Sequence, residues 1–335
     1  MFIQRNIEKR ESEMYKLSCR IEIEGSRRWE LTAVTSIEIT RDTDKLTDEC
    51  KITLPKKMKW DGVKEIPLER GNKVKVWTGY DDRLELAFVG YIRDIGIKTP
   101  LVISCEDDMF KLKQQATVKK AYKSVTVEQL LKDQGLAYPI NVMGEQTLGA
   151  YRVTEDTVAG LLGKLQDQGV RSFFKYIDGK PTLYCGVLFD RDETAIMQVF
   201  QNGENGNIIS DSSLEQQKAD TMRLKVKAIS LMPDNKKKVK IEVGDADEEL
   251  RTLHTYNKTE KELKAWAEQE IKRLKRDGLT GSFTTFGYRL VDKLDTIGLI
   301  IDGVKQGKYQ VKKNVIKYGT SGYRQEITLG QRVGE

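Results

Sequence analysis

The chain has 335 residues, of which 39% are hydrophobic and 32% are charged. This balance is typical of a soluble globular protein and excludes a disordered chain, and the length predicts two or three domains. Its 57 basic and 51 acidic residues leave a net charge of only +6, which argues against a strongly basic nucleic-acid-binding module.

Residues 1–14 are mostly charged and are predicted to form an N-terminal arm, unless Met14 is the true first residue. They contain no segment that resembles a signal peptide, and no run of the chain approaches the roughly 20 apolar residues that span a bilayer. We therefore expect synthesis in the cytoplasm and no membrane anchor. The cysteines lack a Cys-x-x-Cys pair, which favours a reducing compartment. They are Cys19, Cys50, Cys105 and Cys185.

Residues 15–108 are predicted to form a first β-barrel domain. Hydrophobic and polar residues alternate over 17–23 and over 31–39, with a break at Thr35-Ser36, and a further strand over 50–54 ends at Pro55. Because closing a sheet removes its exposed edges, a series of such short strands favours a small barrel.

Residues 109–200 are predicted to form an α+β insertion domain. Residues 126–129 have the pattern of a capping box that opens a helix ending at Gly135. Thr154 opens a second helix, which ends before Gly169. Its apolar residues share one face and are Val158, Leu161, Leu162 and Leu165. The dipeptide Asp178-Gly179 predicts the turn of a β-hairpin.

Residues 201–335 are predicted to form a second β-barrel domain with a helical excursion at about 245–278. Strand patterns cover 207–209, 222–229 and 238–243, with a turn at 233–235, and further strands follow from Thr280 to Arg332. A clear capping box at 259–262 opens the helix. The expected fold is mainly β with an α+β insertion, and it comprises two similar small β-barrel domains plus helix-containing subdomains.

The passage 294–332 repeats the pattern of 68–108. Each copy opens on an acidic turn with a glycine, 69–71 or 295–298, and continues into a short β-branched strand, 74–76 or 299–301, and a glycine turn. An aromatic-led strand, 90–95 or 307–311, and an alternating strand, 101–105 or 325–329, close each copy. Antiparallel meanders share this pattern in general, so a common hairpin design is the alternative. If the repeat is real, a trimer of this chain presents six similar units to a partner.

The sequence contains one histidine, His254, and neither a phosphate-binding loop nor a nucleophile elbow. A lone histidine without a nearby carboxylate or thiol is usually structural. Acidic clusters are expected to be surface turns rather than glycosidase carboxylates. They are Asp81-Asp82, Glu106-Asp107-Asp108, and Asp245 with Asp247. We predict no enzyme activity and no catalytic, cofactor-binding or metal-binding residue. A Cys/His hydrolase that uses His254 is the alternative.

Three other features are predicted to have structural roles. The glycine-rich stretch 203–207 precedes a strand instead of a helix, so it lacks the helix dipole that holds phosphate and it predicts a turn. The lysines at 236–238 are expected to form a solvated hairpin tip beside compensating acids. Trp266 belongs to the apolar stripe of the last predicted helix and is expected to anchor a core.

The order of these elements resembles the tail baseplate hub family of phages such as Mu, also called late control protein D-like, which has relatives in VgrG spikes and phage-tail-like bacteriocins. The resemblance covers nearly the whole chain from Tyr15. The stretches that carry it are the helix-to-glycine segments ending at Gly135 and Gly169, residues 178–183, 206–209 and 223–227, the capped helix from Thr259, and residues 294–311.

This resemblance implies a homotrimeric ring with two similar barrel domains per chain. Such a ring joins the sixfold tail tube on one face to a threefold spike on the other and leaves a lumen for DNA or an effector. The implied partners are other copies of the chain, the tail tube or distal tail protein, the central spike protein and the tape measure protein, with DNA only in transit. The implied location is the baseplate of a virion tail assembled in the bacterial host cytoplasm. The sequence has no recognisable lysozyme, peptidase or peptidoglycan-binding extension, which implies that enzymatic cell-wall penetration belongs to another chain. The alternative is that this chain is itself a tail-associated cell-wall hydrolase.

Overall fold

The structure, a computed structural model, describes residues 15–55, 60, 66–96, 99–143, 147–186, 196–220, 222–231, 238–245, 250–256, 258–275 and 277–333. The predicted arm at 1–14, the turn at 233–235, Lys236 and Lys237 lie outside the described residues. Within these ranges the chain is mainly β with few helices, as the sequence predicts.

Residues 15–108 contribute strands that all belong to one large sheet. These strands are β1 (Leu17–Glu24), β2 (Arg28–Leu31), β3 (Ser36–Asp42), β4 (Glu49–Thr53), β5 (Lys73–Tyr80), β6 (Arg83–Ile95) and β7 (Val102–Glu106). The pattern over 31–39, with its break at Thr35-Ser36, belongs to two strands, because Leu31 pairs with Ile21 whereas Ser36 pairs with Thr53. Residues 32–35 connect β2, which pairs with β1, to β3, which pairs with β4.

The following region combines short helices and strands, as predicted. They are α1 (Met109–Leu112), β8 (Ala121–Tyr122), α2 (Val127–Lys132), β9 (Ile140–Met143), β10 (Tyr151–Arg152), α3 (Val158–Asp167), β11 (Arg171–Ile177) and β12 (Lys180–Gly186). No helix in the described part of the chain is long and apolar enough to cross a membrane.

The helix starts in this region differ in detail from the predicted caps. Thr126 accepts a hydrogen bond from the backbone N–H of Gln129 at 3.1 Å, but the Gln129 side chain donates to Asp133 at 2.7 Å, so only half of the capping box forms. The start predicted at Thr154 is wrong by three residues. Thr157 is the N-cap of α3, because its side chain accepts the hydrogen bond from the first helical turn.

The last region holds most of the strands that the sequence predicts and two that it does not. The elements are β13 (Gln198–Gln201), β14 (Ile208–Gln217), β15 (Lys225–Leu231), β16 (Lys238–Gly244), β17 (Leu250–Tyr256), α4 (Glu260–Leu274), β18 (Gly278–Phe286), β19 (Thr296–Ile301), β20 (Val304–Gly319) and β21 (Gly322–Arg332). Strands β13 and β17 are the unpredicted ones. The capping box of α4 is confirmed, since Thr259 and Glu262 each accept the other's backbone N–H.

Thirteen strands form the large sheet, in the order β14-β18-β21-β20-β3-β4-β7-β6-β5-β1-β2, while β13 pairs with β19 and β19 with β20. Three small sheets, β10-β8, β11-β12-β9 and β16-β15-β17, accompany it. Among the described strands the large sheet is an open path, so closure of the two barrels stays a prediction.

The described hydrophobic residues pack into four cores. The first lies among β1 to β7 and also contains Ile316, Tyr318 and Tyr323 from the end of the chain. The second belongs to the α+β region, the third to β13 and β18 to β21, and the fourth to α4 and the β16-β15-β17 sheet. The C-terminal hairpin thus contributes to two cores, and the domain division at 108 and 200 stays a prediction.

Candidate assembly site

The predicted repeat takes the form of two three-stranded units, β5-β6-β7 and β19-β20-β21. In the first unit the N–H of Gly71 donates to the carbonyl of Ile92 at 2.8 Å, and the N–H of Ile92 donates back to the carbonyl of Asn72 at 2.9 Å. This reciprocal pair fixes where β5 begins to run beside β6. Gly71 has a φ of 89°, which glycine adopts without strain.

The second unit repeats this arrangement with different residues. The N–H of Leu294 donates to the carbonyl of Val311 at 2.8 Å, and the N–H of Val311 donates back to Asp295 at 2.9 Å. Leu294 also has a positive φ, of 64°. Leu294 is therefore the equivalent of Gly71, and Val311 is the equivalent of Ile92. The match of Gly71 with Gly298 that the sequence pattern suggests is wrong by four residues, because the reciprocal hydrogen bonds start at Leu294.

Both units also interrupt their ladders at the same two places. The β5-β6 register skips Ala87 and the β19-β20 register skips Gln306, each five residues before the equivalent positions 92 and 311. The β6-β7 register skips Arg93 and the β20-β21 register skips Lys312, each one residue after them. A further irregularity near the end of β21 occurs in the second unit alone. Because β-bulges redirect a strand, matching bulges distinguish a repeat from a generic hairpin.

The skipped residues after positions 92 and 311 are both cations that pair with acids. Arg93 Nη1 lies 3.0 Å from Glu106 Oε1, and Lys312 Nζ lies 2.9 Å from Asp44 Oδ2. A bulge turns its extra side chain away from the regular alternation of the strand. In both units that side chain reaches a carboxylate outside its own strand.

The equivalence extends to five strands in each unit. Strand β4 pairs with β7 and β3 with β4, just as β18 pairs with β21 and β14 with β18. Both units therefore have the same order, β3-β4-β7-β6-β5 and β14-β18-β21-β20-β19. In the second unit the β16-β15-β17 sheet and α4 are inserted between the first two strands. The repeat is thus larger than the sequence pattern indicates.

The two units are joined edge to edge within the chain. Beyond β19, strand β20 continues and pairs antiparallel with β3, from Lys313 opposite Asp42 to Gly319 opposite Ser36. The fourth strand of the second unit thus covers the edge of the first strand of the first unit. This pairing makes the two units one continuous sheet.

Tyr323, at the start of β21, reinforces this joint from within the first core. The Thr78 hydroxyl donates to the Tyr323 hydroxyl at 2.7 Å, and the Tyr80 hydroxyl donates to the Tyr323 carbonyl at 3.0 Å. The Tyr318 ring packs edge-on against Tyr323 with ring centres 5.6 Å apart. Burial raises the pKa of Tyr323, so its hydroxyl remains neutral.

A cluster of buried charges lies where the two units meet the α+β region. Lys293 Nζ lies 2.6 Å from Asp48 Oδ1 and 4.6 Å from the ring centre of Phe173 on β11. The Asp107 carboxylate accepts hydrogen bonds from the N–H groups of Asp48, at 3.1 Å, and Met109, at 3.0 Å. Residues from all three regions therefore share this charged junction.

The acids of the charged junction differ in the direction of their pKa shifts. Burial raises the pKa of Asp48, with partial compensation from Lys293, and burial together with the nearby Asp48 raises the pKa of Asp107 well above its usual value. Burial also acts to raise the pKa of Asp292, but Arg41 and Lys175 outweigh it, so that pKa is lowered. A cavity of about 310 Å³ adjoins these groups. Because the charges are compensated by neighbours, we interpret the junction as structural.

The prediction that acidic clusters form surface turns is right in one case and wrong in another. Asp81 and Asp82 have φ values of 51° and 62° and form the tight turn between β5 and β6. Residues 106–108, in contrast, are buried, because the turn into α1 lies between the first sheet and the α+β region. Glu106 retains its charge partners there, Arg93 and Lys113.

Of the lone histidine, only the backbone is among the described parts of the structure. His254 lies on β17, where its backbone is paired with Ile229, and its side chain lies outside the described residues. Asp245 accepts a hydrogen bond from Lys275 Nζ at 2.6 Å, and this interaction lowers its pKa. Asp247 lies outside the described residues.

Two predicted structural roles agree with the structure. The stretch 203–207 is a turn, in which Gly206 donates to Gly203 and Asn205 has a φ of 64°. Trp266 packs, partly buried, against the core of α4 and its sheet. Of the three lysines, Lys238 is the first residue of β16.

The cysteines are all buried and unpaired with one another. Burial raises the pKa of Cys105 and that of Cys185 to about 12, which makes both thiols poor nucleophiles. Within the described ranges, no group of three or more His, Cys, Asp or Glu residues is placed to hold a metal ion.

No sequence motif marks Lys293, because its partner Asp48 is 245 residues away. The repeat is the one sequence feature that points to this position, because Lys293 directly precedes Leu294, where the second copy begins.

Comparison with solved structures identifies proteins of phage tails and of a secretion system. The tail protein from Neisseria meningitidis MC58 matches with a TM-score of 0.61 and 15% identity over 95% of this chain and 97% of that one. The 43 kDa tail protein of prophage MuSo2 from Shewanella oneidensis matches with a TM-score of 0.60 and 16% identity over 94% and 97%. The E. coli c3393 protein, a component of the type VI secretion system with structural similarity to the T4 tail proteins gp27 and gp5, matches with a TM-score of 0.51 and 10% identity over 94% and 76%.

No protein-family model matches the sequence, and no curated protein matches it either. At these identities the structural likeness establishes the fold. The chain therefore has the fold of phage and prophage tail proteins and of VgrG-related secretion proteins, as its resemblance to tail baseplate hubs predicts.

Proposed function

We propose that this protein is the structural baseplate hub of a phage tail or a phage-tail-like particle. In this role three copies form a ring that joins the sixfold tail tube to a threefold spike and leaves a lumen for DNA or an effector. The observation that carries the proposal is the five-strand unit that occurs twice in one chain with matching bulges.

Two equivalent units per chain allow a ring of three chains to match the sixfold symmetry of a tail tube. Three identical chains close into a ring through one repeated interface, and two units per chain give that ring six similar surfaces. A sixfold tube can then contact six similar surfaces on one face. The α+β region and the β16-β15-β17 sheet with α4 occur once per chain, so they provide threefold features for a spike.

The likeness to tail proteins and to a type VI secretion component supports this role. The partners in the proposed particle are other copies of the chain, the tail tube or distal tail protein, the central spike protein and the tape measure protein. DNA contacts the ring only in transit, consistent with the small net charge of +6. The proposed location is the baseplate of the virion tail, after assembly in the host cytoplasm.

A structural role is also supported by the state of the reactive groups. The thiols with raised pKa values are poor nucleophiles, Asp48 and Asp292 pair with cations, and Asp107 accepts two backbone N–H groups. We therefore favour a hub over the alternative of a tail-associated cell-wall hydrolase.

The decisive experiment is a mass measurement. Light scattering at micromolar concentration should give about three times the 38.3 kDa of one chain, and adding tube or spike protein should give larger complexes. A stable monomer whose mass does not change when tube or spike protein is added contradicts the proposal. Particles carrying His254→Ala should keep their infectivity, whereas a loss with intact assembly would favour the hydrolase.

A further inference from the structure

Strand β14 has the longest open edge of the large sheet among the described strands. It pairs with β18 alone, and the other two open ends, β2 and β13, have only four residues each. Most side chains of its ten residues are exposed, whereas β3 has mainly buried or half-buried side chains. A long uncovered edge is a template for pairing with another strand.

The repeat identifies what covers the equivalent edge in the first unit. Ser104 and Thr328 are equivalent, and the residues opposite them are Lys51 and Ser282. Those two residues are in turn opposite Glu38 on β3 and Ser213 on β14. Strand β14 is therefore the equivalent of β3, and the edge of β3 is covered by β20.

The equivalent of β20 in the first unit is β6. On the side that β5 occupies, hydrogen bonding to β6 ends at Ile92, just as pairing of β19 with β20 ends near Val311. Past its bulge, β6 continues through Asp94 and Ile95, and Gly96 still donates to Val102 on β7. On the side of β6 that faces away from β7, no described strand pairs with this end of β6. In the second unit, β20 binds β3 at the equivalent place.

We propose that β14 of one copy pairs antiparallel with the end of β6 in the next copy, in the register by which β3 pairs with β20. Asp94 is the equivalent of Lys313 and Gln217 is the equivalent of Asp42, so the observed pair of Lys313 with Asp42 predicts a pair of Asp94 with Gln217 between copies. The next two pairs are Ile95 with Gln216 and Gly96 with Glu215. The partner is a second copy of this chain. This inference rests on the ring proposed above and names the interface that closes it.

Cross-linking between copies tests this register. Chains with Asp94→Cys are coexpressed with chains carrying Gln217→Cys and then oxidised, and a disulfide-linked pair of chains is expected. The control pair, Asp94→Cys with Gln216→Cys, should not cross-link, because a shift of one residue places the side chain on the opposite face. The four native cysteines are buried and should contribute little background.

A second control calibrates the geometry within one chain. Asp42→Cys with Lys313→Cys occupies the observed equivalent pair and should form an internal disulfide. If this internal disulfide forms but rings of trimer mass give no disulfide between positions 94 and 217 of neighbouring copies, the proposed pairing is overturned while the proposed hub stands. If no ring forms at any concentration, the hub itself is contradicted.

Hydrogen exchange provides a readout that does not depend on cysteine chemistry. The backbone amides of β14 that point away from β18 should become protected from exchange when monomers assemble. The exchange rates of the amides of the short edge strand β2 should not change. Unchanged exchange of β14 on assembly overturns the pairing, even if the internal control fails to oxidise.

Discussion

Lys293 Nζ lies 2.6 Å from Asp48 Oδ1, although the two residues are 245 positions apart. Lys293 is fully buried and Asp48 nearly so, and the pair therefore ties the second repeated unit to the first inside the protein. Charges that have left water are tolerated only while their partners remain. Removing one member and removing both should therefore have different consequences.

Replacing Lys293 with Met should lower the free energy of unfolding by about 3–5 kcal/mol, because Asp48 loses its paired cation and Asp107 loses the favourable charge interaction with Lys293. The double variant Lys293→Met with Asp48→Leu should recover a large part of this loss, since it leaves one fewer buried charge. Urea denaturation at neutral pH measures both. A loss below about 1 kcal/mol for the single variant is the value of an exposed pair and would contradict the burial argument.

Replacing Tyr323 with Phe should cost about 1–2 kcal/mol, because the hydroxyl of Thr78 loses its acceptor in the first core. Thr78→Val should have a similar cost, and the double variant should cost less than the sum of the two. Thermal unfolding of the four proteins gives this cycle. Tyr176→Phe, at an exposed tyrosine, serves as a control that should change little.

Local patterns were sufficient to predict much of this fold. The reciprocal capping box at Thr259, the turn at Asp178-Gly179 and the repeat after position 294 depend on residues close together in sequence. Each has a local physical cause, such as a capping oxygen or a positive φ. Their positions could therefore be predicted without knowing the tertiary structure.

Long-range pairing could not be predicted in this way. Strand β13 has only four residues and exists by pairing with β19, about a hundred residues later. The joint between β20 and β3 depends on partners that are far apart in the chain, and so does the burial of Lys293. Asp107 has the sequence pattern of a surface acid, and only the packing of the α+β region buries it.

Glu155 should make stability depend on pH in acid. Burial alone acts to raise its pKa, but hydrogen bonds from Lys164, at 2.5 Å, and Thr154, at 2.7 Å, lower it to about 2 from an ordinary value of 4.5. A lowered pKa gives stability that is fully present above the ordinary value and is lost as the pH falls toward 2. Glu155→Gln should therefore be about 1–2 kcal/mol less stable than the wild type at neutral pH, with the difference shrinking toward zero near pH 2.

Urea denaturation of both proteins across this pH range measures that difference. The matched control is Glu128→Gln, which removes an exposed ion pair with Lys132 and should change stability little at any pH. A difference between Glu155→Gln and the wild type that stays constant with pH would show that ionisation of Glu155 is not its cause.

Gly71 should be sensitive to substitution because of its backbone rather than its surroundings. Its φ is 89°, and the nearest heavy atom to an added Cβ is Phe110 Cε1 at 3.9 Å, so a methyl group has room. Gly71→Ala should nevertheless cost about 1–2 kcal/mol, because an L residue is strained in this conformation, and Gly71→Asn should cost less. Gly163→Ala, inside α3, should instead stabilise the protein by roughly 0.5–1 kcal/mol. Equal stability of Gly71→Ala and wild type would mean that this turn can relax, and that its equivalence to Leu294 does not depend on the left-handed conformation.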